Sequence, residues 1–253
     1  MPTPPRITRR AMLTGCSAAL AAPAVLRPAA AQEMARAPAV AMPDTITRVR
    51  TARPVVAMTF DDGPHPSLTP QLLDILAARG IRATFYVIGW RVAQSPLLAR
   101  RIAEEGHEIG NHTWSHPSLT GQSDAAALAQ IDRTTQAVHE AVGRPPVTMR
   151  PPYGNFSPRQ RRMLMEARNM PTVLWSVDPE DWRRPGAPVV AQRIVSQSHP
   201  GAVILSHDII GATVRAMPAA LDGLIARGYE FVTLSELIGW PRWNSRALRL
   251  ASR

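Results

Sequence analysis

From Arg53 onward the chain alternates short apolar, β-branched runs with longer helix-like runs, and no other feature limits the fold as much. The strand-like runs are Val55–Phe60, Ala83–Ile88, Glu108–Gly110, Val147–Met149, Thr172–Val177, Ala202–Ser206 and Glu230–Leu234. Between them lie Thr69–Arg79, Pro96–Glu105, Asp124–Val142, Ser157–Arg168, Val189–Ser198 and Arg215–Arg227, four of which stop at a glycine. Repeated β-then-α units require parallel strands with helical crossovers. Seven strand-like runs fit a barrel one unit short of the usual eight, or an open doubly wound sheet.

Each unusual polar cluster follows the C-terminal end of one of these runs. DDGPH follows Val55–Phe60, NHTWSH follows Glu108–Gly110, and RPPYG follows Val147–Met149. DPEDW follows Thr172–Val177, and SHD follows Ala202–Leu205. Barrels of parallel strands place their chemistry on that rim. Five clusters on one rim argue for a single shared site.

A chain of 253 residues, 45% hydrophobic and 19% charged, suits one globular domain with a substantial core. The net charge is +10, and all 29 basic residues are arginine. Four of them precede residue 32, where there is no acid, so the remainder carries 25 basic and 19 acidic residues. That balance fits attraction to anionic envelope polymers. There is no nucleic-acid recognition motif and no basic–aromatic alternation, so we expect no nucleic-acid partner. The single cysteine, Cys16, excludes internal disulfides and Cys-based zinc sites, so any metal must be held by His, Asp or Glu.

Residues 1–31 have the three-part layout of a secretory signal: Arg9-Arg10, an uncharged stretch from Ala11 to Leu26, then Ala29-Ala30-Ala31. The apolar stretch is shorter than the ~20 residues a membrane-spanning helix needs. Thr8-Arg9-Arg10-Ala11-Met12-Leu13 resembles a twin-arginine signal. We therefore expect an exported protein, periplasmic or secreted. Lipid anchoring through Cys16 in Leu13-Thr14-Gly15-Cys16 is the lesser alternative. Residues 32–52 read as a flexible lead-in, residues 53–238 as the catalytic domain, and residues 239–253 as a basic tail.

Two adjacent aspartates at the end of a buried strand are costly, since like charges repel and resist desolvation. His112 and His116, spaced i, i+4, would share one face of a helical turn and could chelate one metal. One carboxylate added to two histidines makes a zinc-type set with a position left for water. The second carboxylate could then act as base. The metal's charge would offset the repulsion between the aspartates.

TFDDGP, H-T-x-x-H, RPPYG, D-x-x-D-W and L-x-H, in this order, resemble the five motifs of the polysaccharide deacetylases. This is carbohydrate esterase family 4, also called the nodulation-type chitooligosaccharide deacetylase homology domain. The resemblance implies an α/β fold, a distorted (β/α)7 barrel with a single catalytic domain. It implies a metal-dependent hydrolase that removes N-acetyl or O-acetyl groups from an N-acetylated polysaccharide, such as peptidoglycan or chitin oligosaccharides. The implied cofactor is one divalent ion, Zn2+ first and Co2+, Ni2+ or Mn2+ as substitutes.

By position, Asp61 resembles the family's general base, and Asp62, His112 and His116 resemble its metal ligands. Arg150 resembles the arginine that orients the base. Asp181 and Trp182 resemble the pair that orients the catalytic histidine and walls the site. Leu205 resembles the lining of the acetyl-methyl pocket, and His207 the general acid. A backbone N–H near Tyr153 resembles the oxyanion donor. Two other readings compete: an amidohydrolase acting on a small non-sugar amide or imide, and a catalytically dead glycan-binding protein. The complete set of acid, base and ligands argues against both. His65, His107, His139 and His199 match no motif role, although His65 lies close to the site and could touch substrate.

Overall fold

Val55–Asp61 (β2) is a seven-residue strand, buried throughout, and the other strands are placed relative to it. A computed structural model describes residue 1, residues 43–240 and residue 243. The expected signal segment, most of the lead-in and most of the basic tail lie outside the described residues. Successive side chains of β2 point to opposite faces. Val56, Met58 and Phe60 face outward and pack with Leu72, Leu73, Ile102, Leu221 and Leu224 from the surrounding helices. Val55 and Ala57 face inward and pack with Tyr86, Val173 and Val203. Thr59 and Asp61 continue that inward row, so the strand's own alternation delivers Asp61 to the mouth of the barrel.

On one side β2 pairs in parallel with Ala202–Ile204 (β6). On the other side it pairs at Thr59–Asp61 with Thr84–Val87 (β3) and lower down, at Val55–Val56, with Glu230–Phe231 (β7). β3 pairs with Glu108–Asn111 (β4). The ring continues through single bridges, Asn111 to Met149 and Met149 to Thr172 of Thr172–Val173 (β5), and returns through Val177 to Ile204. The seven strand positions form the expected distorted (β/α)7 barrel. Six α-helices occupy the expected stretches: α1 (Leu68–Ala77), α3 (Pro96–Glu104), α4 (Asp124–Val142), α5 (Pro158–Arg168), α6 (Ala187–Gln197) and α7 (Gly211–Ala226). No helix among the described residues is long and apolar enough to cross a membrane. Gly110 faces the lumen where the Tyr86 ring fills it. A Cβ there would lie 2.4 Å from that ring, so only glycine fits.

Four local readings change. Gly89–Gln94 forms an extra helix, α2, directly after β3. The run Glu230–Leu234 splits: its β-branched residues read as strand throughout, but Leu234–Leu237 is a short helix, α8. Thr233 and Glu236 form a capping box at its start, and the buried Glu108 carboxylate accepts from Ser235 N–H and Oγ, each at 2.7 Å. Inside the expected lead-in, Thr45–Ile46 (β1) pairs in parallel with β5, and Val49 N–H donates to Gly201 O at 2.9 Å. This segment fills the gap where β5 parts from β6, satisfying edge groups that would otherwise be buried unpaired. In the expected tail, Trp243 is fully buried and its Nε1–H donates to His107 O at 3.2 Å.

Candidate active site

The five polar clusters meet at the C-terminal rim, around a cleft of about 540 Å³. Its walls include Asp61, Asp62, His112, His116, Tyr153 and His207, together with Trp175, Asp178, Trp182, Arg184 and Leu205. Among the described residues, six of the seven non-glycine residues with positive φ sit in these rim loops: Asp62, Thr113, His116, Tyr153, Glu180 and Arg184. Such conformations cost about 1–3 kcal/mol each and persist where surrounding structure imposes them.

The two adjacent aspartates separate because the strand ends between them. Asp61 is the last residue of β2, and Asp62 turns away at φ 76. Asp61 Oδ1 accepts from Arg150 Nη1 at 2.7 Å, and the same nitrogen donates to Thr59 Oγ1 at 2.7 Å. The fully buried Arg150 side chain also donates to the Val173 and Leu174 carbonyls and lies 4.3 Å from the Tyr86 ring. Such a pair is tolerated in a core only because nearly every donor is satisfied.

Asp62 Oδ1 lies 3.4 Å from His112 Nε2 and 3.3 Å from His116 Nε2. The three ligand atoms all fall within 4.8 Å of one another. The histidines do not share a helical turn as their spacing implied. They flank an irregular loop in which Thr113 and His116 are left-handed, at φ 67 and 60. Side chains hold this loop. Asn111 Oδ1 accepts from Thr113 N–H (2.9 Å), Thr113 Oγ1 accepts from His116 N–H (3.1 Å), and Gln130 Oε1 accepts from the Trp114 and Ser115 N–H groups (3.0 Å each). The loop still brings the two imidazoles to 4.9 Å between centroids.

Two observations test whether these residues fit a metal. Asp62 Oδ1 is buried and has no hydrogen-bond partner. His112 Nδ1 lies 2.6 Å from Arg150 O, which can only accept. Nδ1 therefore carries the ring proton, and Nε2 turns its lone pair toward Asp62. A cation satisfies all three groups at once, so the residues fit a divalent ion. Burial raises the Asp62 carboxyl, but the neighbouring His112 imidazole outweighs it and brings it down to about 2. Burial lowers His112, but Asp61 and Asp62 outweigh it and raise the imidazole. Burial, and then the neighbouring His112, lower His116.

His207 faces the trio across the cleft. Asp181, buried, accepts from His207 Nδ1 (2.8 Å), His207 N–H (2.8 Å) and Thr213 Oγ1 (2.7 Å). Trp182 is 50% exposed, which makes it a wall of the cleft and not part of the core. Tyr153 is 65% exposed and meets the His116 ring edge-on at 4.7 Å. Leu205 is buried beneath them.

Sequence reasoning missed Asp208. It is fully buried, accepts from Thr69 Oγ1, and backs the DDGP turn so closely that a Cβ on Gly63 would lie 2.2 Å from its Oδ2. Its only signal was its place beside His207. His65 does not contact the trio; its Nδ1 accepts from the Ser67 and Leu68 N–H groups at the start of α1, 3.2 Å each.

The polysaccharide deacetylase family model matches residues 48–171. A chitooligosaccharide deacetylase from Bradyrhizobium sp. (strain ANU 289) is 36% identical over 72% of this chain and 90% of that protein. This chain belongs to the polysaccharide deacetylase family. Another family relative, the peptidoglycan-N-acetylglucosamine deacetylase PgdA of Listeria monocytogenes serotype 1/2a (strain EGD / Mackaness), is 43% identical over 73% of this chain. This polysaccharide deacetylase chain spans 39% of that relative's length. The crystal structure of the Bc1960 peptidoglycan N-acetylglucosamine deacetylase superposes with a TM-score of 0.74 at 34% identity, covering 77% of this chain and 92% of that one.

Proposed function

We propose that the chain is a metal-dependent hydrolase that removes acetyl groups, N-acetyl first, from an envelope or extracellular glycan such as peptidoglycan or chitin oligosaccharides. The observation that carries this reading is one cleft holding Asp62, His112 and His116 beside an Arg150-held carboxylate and an Asp181-held imidazole. Asp62, His112 and His116 would hold the ion, zinc in our reading, with cobalt, nickel or manganese as substitutes. Once bound, that ion would polarise the acetyl carbonyl and lower the pKa of water toward ~7.

The other steps belong to the chain. Asp61 takes the proton of the attacking water, its carboxylate held at the cleft by Arg150. His207 Nε2 delivers a proton to the departing amine nitrogen, while Asp181 holds Nδ1. A backbone N–H at Tyr153 donates to the developing oxyanion. Leu205 receives the acetyl methyl, and Trp182 offers a face for a sugar ring. Export through the N-terminal leader would bring the enzyme to such polymers. The test is acetate release by the full chain from N-acetylglucosamine oligomers and from peptidoglycan glycan strands, with and without chelator. Chelator-sensitive release, restored by zinc, supports the reading. No acetate from either glycan by zinc-loaded protein contradicts it.

The pH profile tests His207 separately. Burial lowers its imidazolium, but the hydrogen bond and charge of Asp181, with Asp61 and Asp62, outweigh that and raise it to about 9. A raised value means that the charged form stabilises the fold fully below about 6.5, and that this contribution fades as pH rises through about 9. As the proton donor, His207 loses activity over that same upper limb. At equal metal loading, Asp181→Asn should move the alkaline limb of kcat/KM downward by about 1–3 units. A limb unmoved in Asp181→Asn contradicts the assignment of His207 as the acid.

A further inference from the structure

We propose that Arg184 forms a subsite for a carboxylate on the glycan, so that the preferred substrate is an acetylated glycan carrying an acidic group on the acetylated sugar or its neighbour. This deepens the deacetylase reading and rests on it. Three arginines surround the turn Asp181–Arg183, two on the turn and its flank and one reaching it from α6, with different commitments. Arg183 pairs with Glu180 at 3.4 Å and stacks over Trp182 at 4.6 Å. Arg193 pairs with the same Glu180 at 3.0 Å. Arg184 makes no ion pair among the described residues, is exposed, and lines the cleft.

Its placement is imposed by the site. Arg184 is held in the left-handed region at φ 57, a conformation unfavourable for a residue with a Cβ. Its N–H donates to Asp181 O at 2.8 Å, so the turn that positions the His207 partner also fixes the backbone from which this guanidinium extends. A turn needing only a left-handed residue would take Gly or Asn at lower cost.

The other charges of the cleft leave this one available. Asp61 is occupied by Arg150, and Asp62 faces the two histidines. Asp178 accepts from Glu180 N–H at 2.8 Å and makes no ion pair with Arg184. Beside Arg184, Trp182 presents an exposed ring of the kind on which sugars stack. A guanidinium fork recognises a carboxylate through two parallel hydrogen bonds.

The chemistry has two sources, a lactyl ether carboxylate on an amino sugar or a uronic acid next to one, and the test separates them. Acetate release would be measured on four glycans. These are N-acetylglucosamine oligomers, N-acetylglucosamine–N-acetylmuramic acid strands with free carboxylates, the same strands amidated, and N-acetylglucosamine–glucuronic acid oligomers. The unmodified chain should prefer free over amidated strands, or uronate over neutral oligomers, by about fivefold in kcat/KM. That preference should weaken with added salt. Arg184→Gln should bring the ratio close to one. Arg159→Gln, which removes an arginine paired elsewhere with Asp124, should keep it. An equal ratio in the unmodified chain and Arg184→Gln overturns the proposal, as does the absence of any preference. If no glycan releases acetate, the deacetylase reading has failed on its own. Binding of the same four glycans, followed by tryptophan fluorescence, then decides the subsite by the same Arg184-dependent ratio.

Discussion

Asp61→Asn should lower kcat/KM for acetate release by about 10²–10⁴ while leaving one metal per chain. The two groups are nearly the same size, and the amide oxygen can still accept from Arg150. The amide cannot take a proton from water. The loss corresponds to about 3–5 kcal/mol of barrier. Asp62, His112 and His116 are untouched, so metal content should match that of the unmodified chain. Arg150 would keep its bonds to Thr59 and the Val173 and Leu174 carbonyls but lose its counter-charge. A lower melting temperature should therefore accompany the loss of rate. Activity within tenfold of the unmodified chain would remove Asp61 from the role of base.

The second large effect is predicted for Arg150→Met. This change leaves the Asp61 carboxylate, 3% exposed, buried without its cation. Breaking a buried pair on one side costs about 3–5 kcal/mol. For a domain of this size that corresponds to a fall in melting temperature of roughly 6–20 °C. Activity should fall with it, because the carboxylate loses the contact that orients it. The double variant Asp61→Asn/Arg150→Met separates the two effects, since it removes the unpaired charge. It should recover part of the lost stability and none of the activity. A double variant as unstable as the sum of the singles would mean that the pair is not energetically coupled.

What could be read from the sequence follows from how each feature is determined. β2 was legible because its burial on both faces leaves the apolar run Val55–Met58, followed by Phe60. The convergence of the five motifs was legible because parallel strands put all their C-terminal ends on one rim. The aspartate pair was legible as a puzzle, and the strand's period of two resolves it: Asp61 lies on the lumen face and Asp62 beyond the last pleat.

The features that were hidden depend on distant partners. β1 is two residues long, too short for any periodicity, and exists because β5 and β6 diverge beside it. The strand position at Met149 was legible as the run Val147–Met149, but not that only single bridges to Asn111 and Thr172 hold it. Leu234–Leu237 becomes helical because Glu108, far away in sequence, accepts at its first turn. The His112–His116 loop has helical spacing but follows Asn111 and Gln130 instead. Asp208 supports a turn to which no spacing rule connects it.

On the proposed mechanism, activity depends on one ion held by Asp62, His112 and His116. The most direct measurement adds zinc stepwise to chelator-stripped full chain, recording bound metal and acetate release in the same samples. Both should rise together and level off at one equivalent, and in Asp62→Ala neither should rise. Full acetate release from metal-free chain, or a rate unchanged as the first equivalent binds, would contradict it.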